Sequence, residues 1–177
     1  MNNKIINPRI IFIISIIIIG AILRLVIDIP NFTPIAAIAL FGGAYLSRKY
    51  LAFILPLLIL FITDLLIGFY DIEVMIPVYL SFLIVVSIGL YIRRRLSVGS
   101  IILASISSSL IFFLITNFAV WVSGMVGYPM SFGGLLEAYF AGLPFLRFEI
   151  IGTLSFNTIL FGSFYLVRQA YPELTKA

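Results

Sequence analysis

Asn31–Leu46 reads NFTPIAAIALFGGAYL, a polar turn that runs into small residues inside an otherwise strongly apolar chain. Its length is the difficulty. Pro34 to Leu46 rises roughly 20 Å as a helix, whereas the hydrocarbon core of a bilayer is about 30 Å thick. Whether this segment crosses a membrane or only dips into it sets the side on which every later loop lies.

The surrounding composition makes the membrane the relevant solvent. Hydrophobic residues are 63% of 177 and charged residues 10%, and the mean hydropathy of +1.24 lies far outside the range of soluble domains. The first apolar run, Ile10 to Ile29, lacks a small-residue cleavage site and reads as a retained helix, not a signal peptide. With no Cys and no His, thiolate or imidazole metal sites, disulfides and Cys/His or Ser/His catalysis are excluded. Only Asp64 among the carboxylates reads as deeply placed, so a two-Asp intramembrane mechanism lacks its second member. No enzyme activity and no cofactor are expected. The net charge of +4 falls in short clusters between apolar runs, a pattern that orients a membrane protein and does not bind nucleic acid.

Apolar periodicity places helices at about Ile10 to Ile29, Pro34 to Leu46, Leu51 to Tyr70, Val74 to Tyr91, Gly99 to Ser123 and Phe148 to Val167. The expected fold is an all-α membrane protein, one bundle of six transmembrane helices over 1–177. If all six cross and the N-terminus is cytoplasmic, Lys4, Arg9, Arg48, Lys49, Arg93, Arg94, Arg95, Arg168 and Lys176 lie inside, leaving only Arg24 and Arg147 toward the outside. A re-entrant Pro34–Leu46 would invert most of that distribution. The positive-inside rule therefore favours a true crossing, both termini cytoplasmic, in the bacterial inner (plasma) membrane. The acids Asp28, Asp71, Glu73, Glu137 and Glu149 then fall at or beyond the outer surface. In the outer loop 124–147, Ser131 is placed to cap a short amphipathic helix that Pro144 would stop, either a lid over the bundle or a filler at the interface.

Polar residues at membrane depth need a partner or a purpose. From helix rise, Arg24 lies roughly 7 Å and Asp64 roughly 9 Å below the outer ends of their helices, at similar depth and of opposite charge. Asn117 and Asn157 read as lying in the same outer half, while IIFIISIIII and LAFILPLLIL leave the inner half nearly dry. An outward-facing polar cavity follows if these residues converge. Arg24, Asn31, Asp64, Asn117, Arg147 and Asn157 would then hydrogen-bond a ligand, and Trp121 and Tyr139 would stack on it. The alternatives are structural: an Arg24–Asp28 or Arg24–Asp64 pair that only sets helix register, asparagines that cross-link helices, and aromatics that anchor at the interface.

NFTPIAAIALFGGAY, ITDLLIGFYD at the end of the third helix, TNFAVW (Thr116–Trp121), Tyr128–Pro129 and GLPFLR (Gly142–Arg147) together resemble a family of small bacterial membrane proteins classified only as a domain of unknown function. Asn31–Gly43 followed by Asp64 is also similar to the substrate-binding S components of energy-coupling-factor (ECF) vitamin importers. That second resemblance implies six helices with cytoplasmic termini, outer loops closing over a vitamin or precursor, and energising transmembrane and nucleotide-binding subunits as partners. The competing expectation is a structural or assembly subunit whose small-residue surfaces dock on another membrane protein.

Overall fold

The structure is a computed structural model and describes residues 8–171. Six α-helices account for nearly all of it, and no strand occurs among the described residues: α1 (Pro8–Val26), α2 (Ile35–Tyr45), α3 (Lys49–Ile67), α4 (Ile72–Ile92), α5 (Val98–Ser123) and α6 (Phe132–Ala170), with a 3₁₀ turn at Arg93–Arg95. Helix is what an apolar chain must form where no water is present, because it satisfies every internal N–H and C=O within one segment. The polar punctuation sets the ends. Ser97 and Ser100 form a reciprocal capping box at the start of α5, Gly124 ends that helix in the left-handed region at φ 67°, and the Ser131 hydroxyl accepts from the Gly134 N–H to start α6. Four helices, α3 to α6, are long and apolar enough to cross a membrane. Ile18, Ile22, Leu58, Leu65, Leu103 and Leu114 are among the large apolar side chains left on the outside, a surface suited to lipid and not to water.

The short helix is the hub. α2 packs against each of the other five helices, and ten of its 11 residues, Ile35 to Ala44, are buried. At 11 residues it is about 16 Å long, yet it presents no face to the surroundings, so its shortness is matched by protein walls and never by the bilayer. Its small residues make this enclosure possible. A Cβ on Gly43 would overlap the carbonyl oxygen of Val86, and one on Gly89 would overlap that of Leu40, so α2 and α4 meet backbone to backbone. Around them Phe41 sets its ring edge-on to Phe161 and Phe164, with centroids 5.2 and 5.8 Å apart, and Tyr45 lies 4.3 Å from the Phe164 ring.

The far end of α2 is closed by Arg93. Its guanidinium donates to the Gly43 carbonyl from Nη2 at 2.7 Å and from Nε at 3.2 Å, and also to the Leu46 carbonyl. A cation on the free carbonyls of a helix C-terminus satisfies the dipole where the chain turns. In the sequence Arg93 reads only as part of an orientation signal; in the fold it caps the central helix.

The largest departure from the sequence reading is α6. It runs unbroken for 39 residues from Phe132 to Ala170, with Pro144 inside it, so the separate helix 148–167 and the lid-like loop 124–147 are replaced by one helix and a short turn. Proline removes one bond, to the Phe140 carbonyl. Ending the helix in apolar surroundings would orphan several. Pro56 in α3 and Pro77 in α4 are carried in the same way. The first third of α6 packs on α5: Gly142 lies directly under the Asn117 carboxamide, the Tyr139 hydroxyl donates to the Leu114 carbonyl at 3.1 Å, and the Phe113 and Tyr139 rings are 5.6 Å apart.

Candidate functional site

The α1–α2 turn, the α3–α4 connection and the middle of α6 surround a cavity of about 230 Å³ lined by Arg24, Asn31, Thr33, Ile35, Leu60, Tyr70, Val78, Phe82, Phe112 and Glu149. Backbone geometry brings these elements together. Asn31 takes φ 59°, a left-handed conformation that asparagine tolerates better than most residues, and the Phe32 N–H returns to the Ile29 carbonyl at 3.1 Å. This tight turn reverses the chain into α2, whose Pro34 cap supplies no side-chain hydrogen bond. α6 passes close by at Gly152, where a Cβ would lie 3.2 Å from the Phe32 Cα. One turn earlier on the same helix stands Glu149, 4% exposed.

Arg24 and Asp64 meet as their matched depths predict. Arg24 Nη2 lies 2.6 Å from Asp64 Oδ1; its Nη1 donates to the Thr63 hydroxyl and, at 3.4 Å, to the Leu60 carbonyl. The Tyr79 hydroxyl donates to Asp64 Oδ2 at 2.9 Å. Both oxygens of the carboxylate are therefore engaged, and Asp64 sits behind Arg24, 2% exposed, outside the set of residues that line the cavity. Tyr70, in the α3–α4 connection, faces the same space. Burial, reinforced by the Asp64 charge and opposed by Arg24, pushes its phenol up to about 12, so it remains a neutral hydroxyl at physiological pH.

Glu149 is the residue that the sequence reading misses. That reading puts it at or beyond the outer surface, because Pro144 reads as the end of one helix and Phe148 as the start of the next. In the continuous α6 it lies inside the bundle. Its Oε1 accepts from the Thr153 hydroxyl at 3.3 Å, and among the described residues it has no ion-pair partner. Glu149, Thr153 and Asn157 follow one another at intervals of four, on one face of α6, opposite Ser105 and Ser109 of α5. The Ser109 hydroxyl donates to the Glu149 carbonyl at 3.4 Å, and Asn157 Nδ2 donates to Ser105 Oγ at 2.7 Å. This buried polar seam carries two atoms without a partner, Ser108 Oγ and Asn157 Oδ1. The one signal that could have found Glu149 is this spacing of polar residues at four across the α6 sequence.

The remaining expected ligand contacts go elsewhere. Asn157 bonds Ser105, eight residues into α5, and so lies toward the Arg93–Arg95 end of the bundle, away from the α5–α6 turn. Asn117 donates to its own helix at the Phe113 carbonyl, 2.8 Å away. Trp121 Nε1 donates to the Pro129 carbonyl at 2.9 Å and pins the α5–α6 turn, Tyr139 braces α5, and exposed Arg147 lies over the Phe148 ring at 4.9 Å. Of the eight expected residues, Arg24 and Asn31 line the cavity, Asp64 supports Arg24, and the other five do not reach it.

Residues 4–174 match the family of unknown function DUF6580. The chain belongs to that family. No curated protein and no solved structure matches it, so the likeness to ECF S components gains no support from comparison. Within the DUF6580 chain, two of the five motifs that carried the first resemblance build the hub and the rim of the cavity: Asn31–Tyr45 forms the turn and α2, and Thr63–Tyr70 holds Arg24 partners and part of the cavity wall.

Proposed function

We propose that this DUF6580 protein is a membrane-embedded subunit that binds a small nutrient-sized solute in the cavity beside the α2 N-terminus. The observation that carries this reading is a cavity of about 230 Å³ with Arg24, Asn31, Tyr70 and Glu149 set among apolar walls. An engineered apolar cavity of about 150 Å³ takes benzene, and drug-sized sites begin near about 300 Å³, so the volume suits a metabolite. Two ionisable side chains at such depth, Arg24 and Glu149, are expensive to maintain in a membrane.

The distribution of charge supports an orientation. Arg48, Lys49, Arg93, Arg94 and Arg95 gather where α2 ends, while Asp71 and Glu73 flank the opposite end beside the α5–α6 turn. Under the positive-inside rule the cavity end faces outward and the basic end the cytoplasm, with six crossings of the plasma membrane. In this reading the solute enters from outside, and release inward needs differential affinity between two states. Separate energising subunits, transmembrane and nucleotide-binding, are the partners that would supply it. The competing assembly-subunit reading relied on small residues forming an external docking face. Ala36, Ala37, Ala39, Gly42, Gly43 and Ala44 are instead turned inward, which favours solute binding.

The test is a stability screen of the purified protein against vitamins, their precursors and other small nutrients. A true ligand raises the melting temperature with concentration, and Val78→Trp, which fills the cavity, abolishes the rise. If no compound stabilises the protein, or if filling the cavity leaves the rise intact, the solute-binding reading falls.

A further inference from the structure

Three ionisable side chains stand at or just behind the cavity, in two different situations. Arg24 and Asp64 neutralise one another at 2.6 Å, and Tyr79 completes the carboxylate. Glu149 is buried to 4% exposure, faces the cavity, and has one hydroxyl donor, Thr153, but no cation among the described residues. The local balance is thus one uncompensated acid. An isolated carboxylate in an apolar interior is among the most costly groups to bury, and a counter-charge relieves that cost. Arg24, the cation that lines the same cavity, is already held by Asp64, so the relief comes either from a proton on the carboxyl group or from a cation in the space that displaces that proton.

We infer that the cavity selects a small organic monocation, a protonated amine on an apolar or aromatic body, with Glu149 as its counter-charge. The inference rests on the solute-binding reading and adds the chemistry of the solute. Its surroundings agree with that class. Phe82 and Phe112, with ring centroids 5.3 Å apart, form one wall and Tyr70 another, and aromatic faces attract cations as well as hydrocarbon. Ile35, Leu60 and Val78 line the rest and suit an apolar body. A bare metal ion fits poorly: the space is far larger than one ion, and among the described residues no three His, Cys, Asp or Glu side chains gather as ligands. An anion would have to compete with Asp64 for Arg24 and would meet Glu149 unscreened.

The chain has no cysteine, so Val78→Cys places a single thiol on the cavity wall. The experiment measures its modification by neutral methyl methanethiosulfonate in reconstituted vesicles, alone and with 2-phenylethylamine, 2-phenylethanol, 3-phenylpropionate or L-phenylalanine. The expected result is ready labelling, with protection by 2-phenylethylamine at a concentration at least about tenfold below that of 2-phenylethanol, as one charge pair in a medium of reduced dielectric would give, and with 3-phenylpropionate weakest. Adding Glu149→Gln should erase the preference for the amine, with protection read relative to the double variant's own labelling rate without added solute. If the thiol does not label, there is no open cavity and the solute-binding reading falls with this one. If it labels but the alcohol, the propionate or the zwitterion protects as well as the amine, or nothing protects, the cavity stands and the cation is overturned. The ranking on Val78→Cys alone decides this even if the double variant fails to fold, and a preference that persists in the Glu149→Gln background overturns the assignment of Glu149.

Discussion

The two ends of α2 handle buried charge in opposite ways. At the C-terminus Arg93 directs its donors to the Gly43 and Leu46 carbonyls, so the charge is absorbed into the fold. At the N-terminus Arg24 is absorbed equally well by Asp64 and Thr63, but Glu149, across the same cavity, is not. A buried charge with its partners in place holds structure together. One without a counter-charge is available to something else, and this difference separates the candidate site from the scaffold.

Breaking the satisfied pair should have the largest effect. Asp64→Ala leaves Arg24 uncompensated and should destabilise the protein by about 3–5 kcal/mol, read from thermal or denaturant unfolding in detergent micelles, whereas Arg24→Met with Asp64→Leu should recover most of that loss. If the double variant stays as unstable as the single one, the pair is more than a register-setting bond. Next in size is the contact that lets α2 sit at the centre. Gly89→Ala sets a Cβ against the Leu40 carbonyl, backbone that cannot swing aside, and should cost about 1–3 kcal/mol; a neutral result would mean that α2 and α4 separate easily. Arg93→Gln removes the cation from the α2 C-terminus and should cost about 1–2 kcal/mol, an effect insensitive to any solute. Smallest is Glu149→Gln. Because the carboxylate has no counter-charge to lose, the neutral isostere should leave unfolding within about 0.5 kcal/mol of the parent or raise stability. A loss as large as that of Asp64→Ala would show that Glu149 has a structural partner and would erase the contrast between the two ends.

Part of this organisation is legible in the sequence. Apolar runs with polar punctuation require helices, because backbone groups without water must bond within their own segment. Opposite charges on α1 and α3 put Arg24 and Asp64 at matched depth, since helix rise is a fixed length per residue. The small residues of Asn31–Leu46 announce close packing, and α2 is the most enclosed helix. The polar contacts of α5 and α6 are not legible in the same way. By its local rule Pro144 is a helix stop, and that rule misplaces Glu149 at the surface and residues 124–147 in a lid. Local propensity loses to the cost of opening backbone in apolar surroundings.

The sequence by itself therefore determined the solvent, the helical class, the charge asymmetry between the ends and the matched depth of Arg24 and Asp64, all of which depend on composition and on distance along one helix, while the choice of Asp64 over Asp28 as the partner of Arg24 came from the fold. The tertiary structure alone decided which polar residues share a space. Asn117 turns to its own helix, Asn157 to Ser105, and Arg93 to the end of α2, while Glu149 arrives at the cavity that Arg24 also lines. Facing across helices depends on rotation about each axis and on the register between neighbours, which a single helix does not encode; close packing around Gly43 and Gly89 settles both.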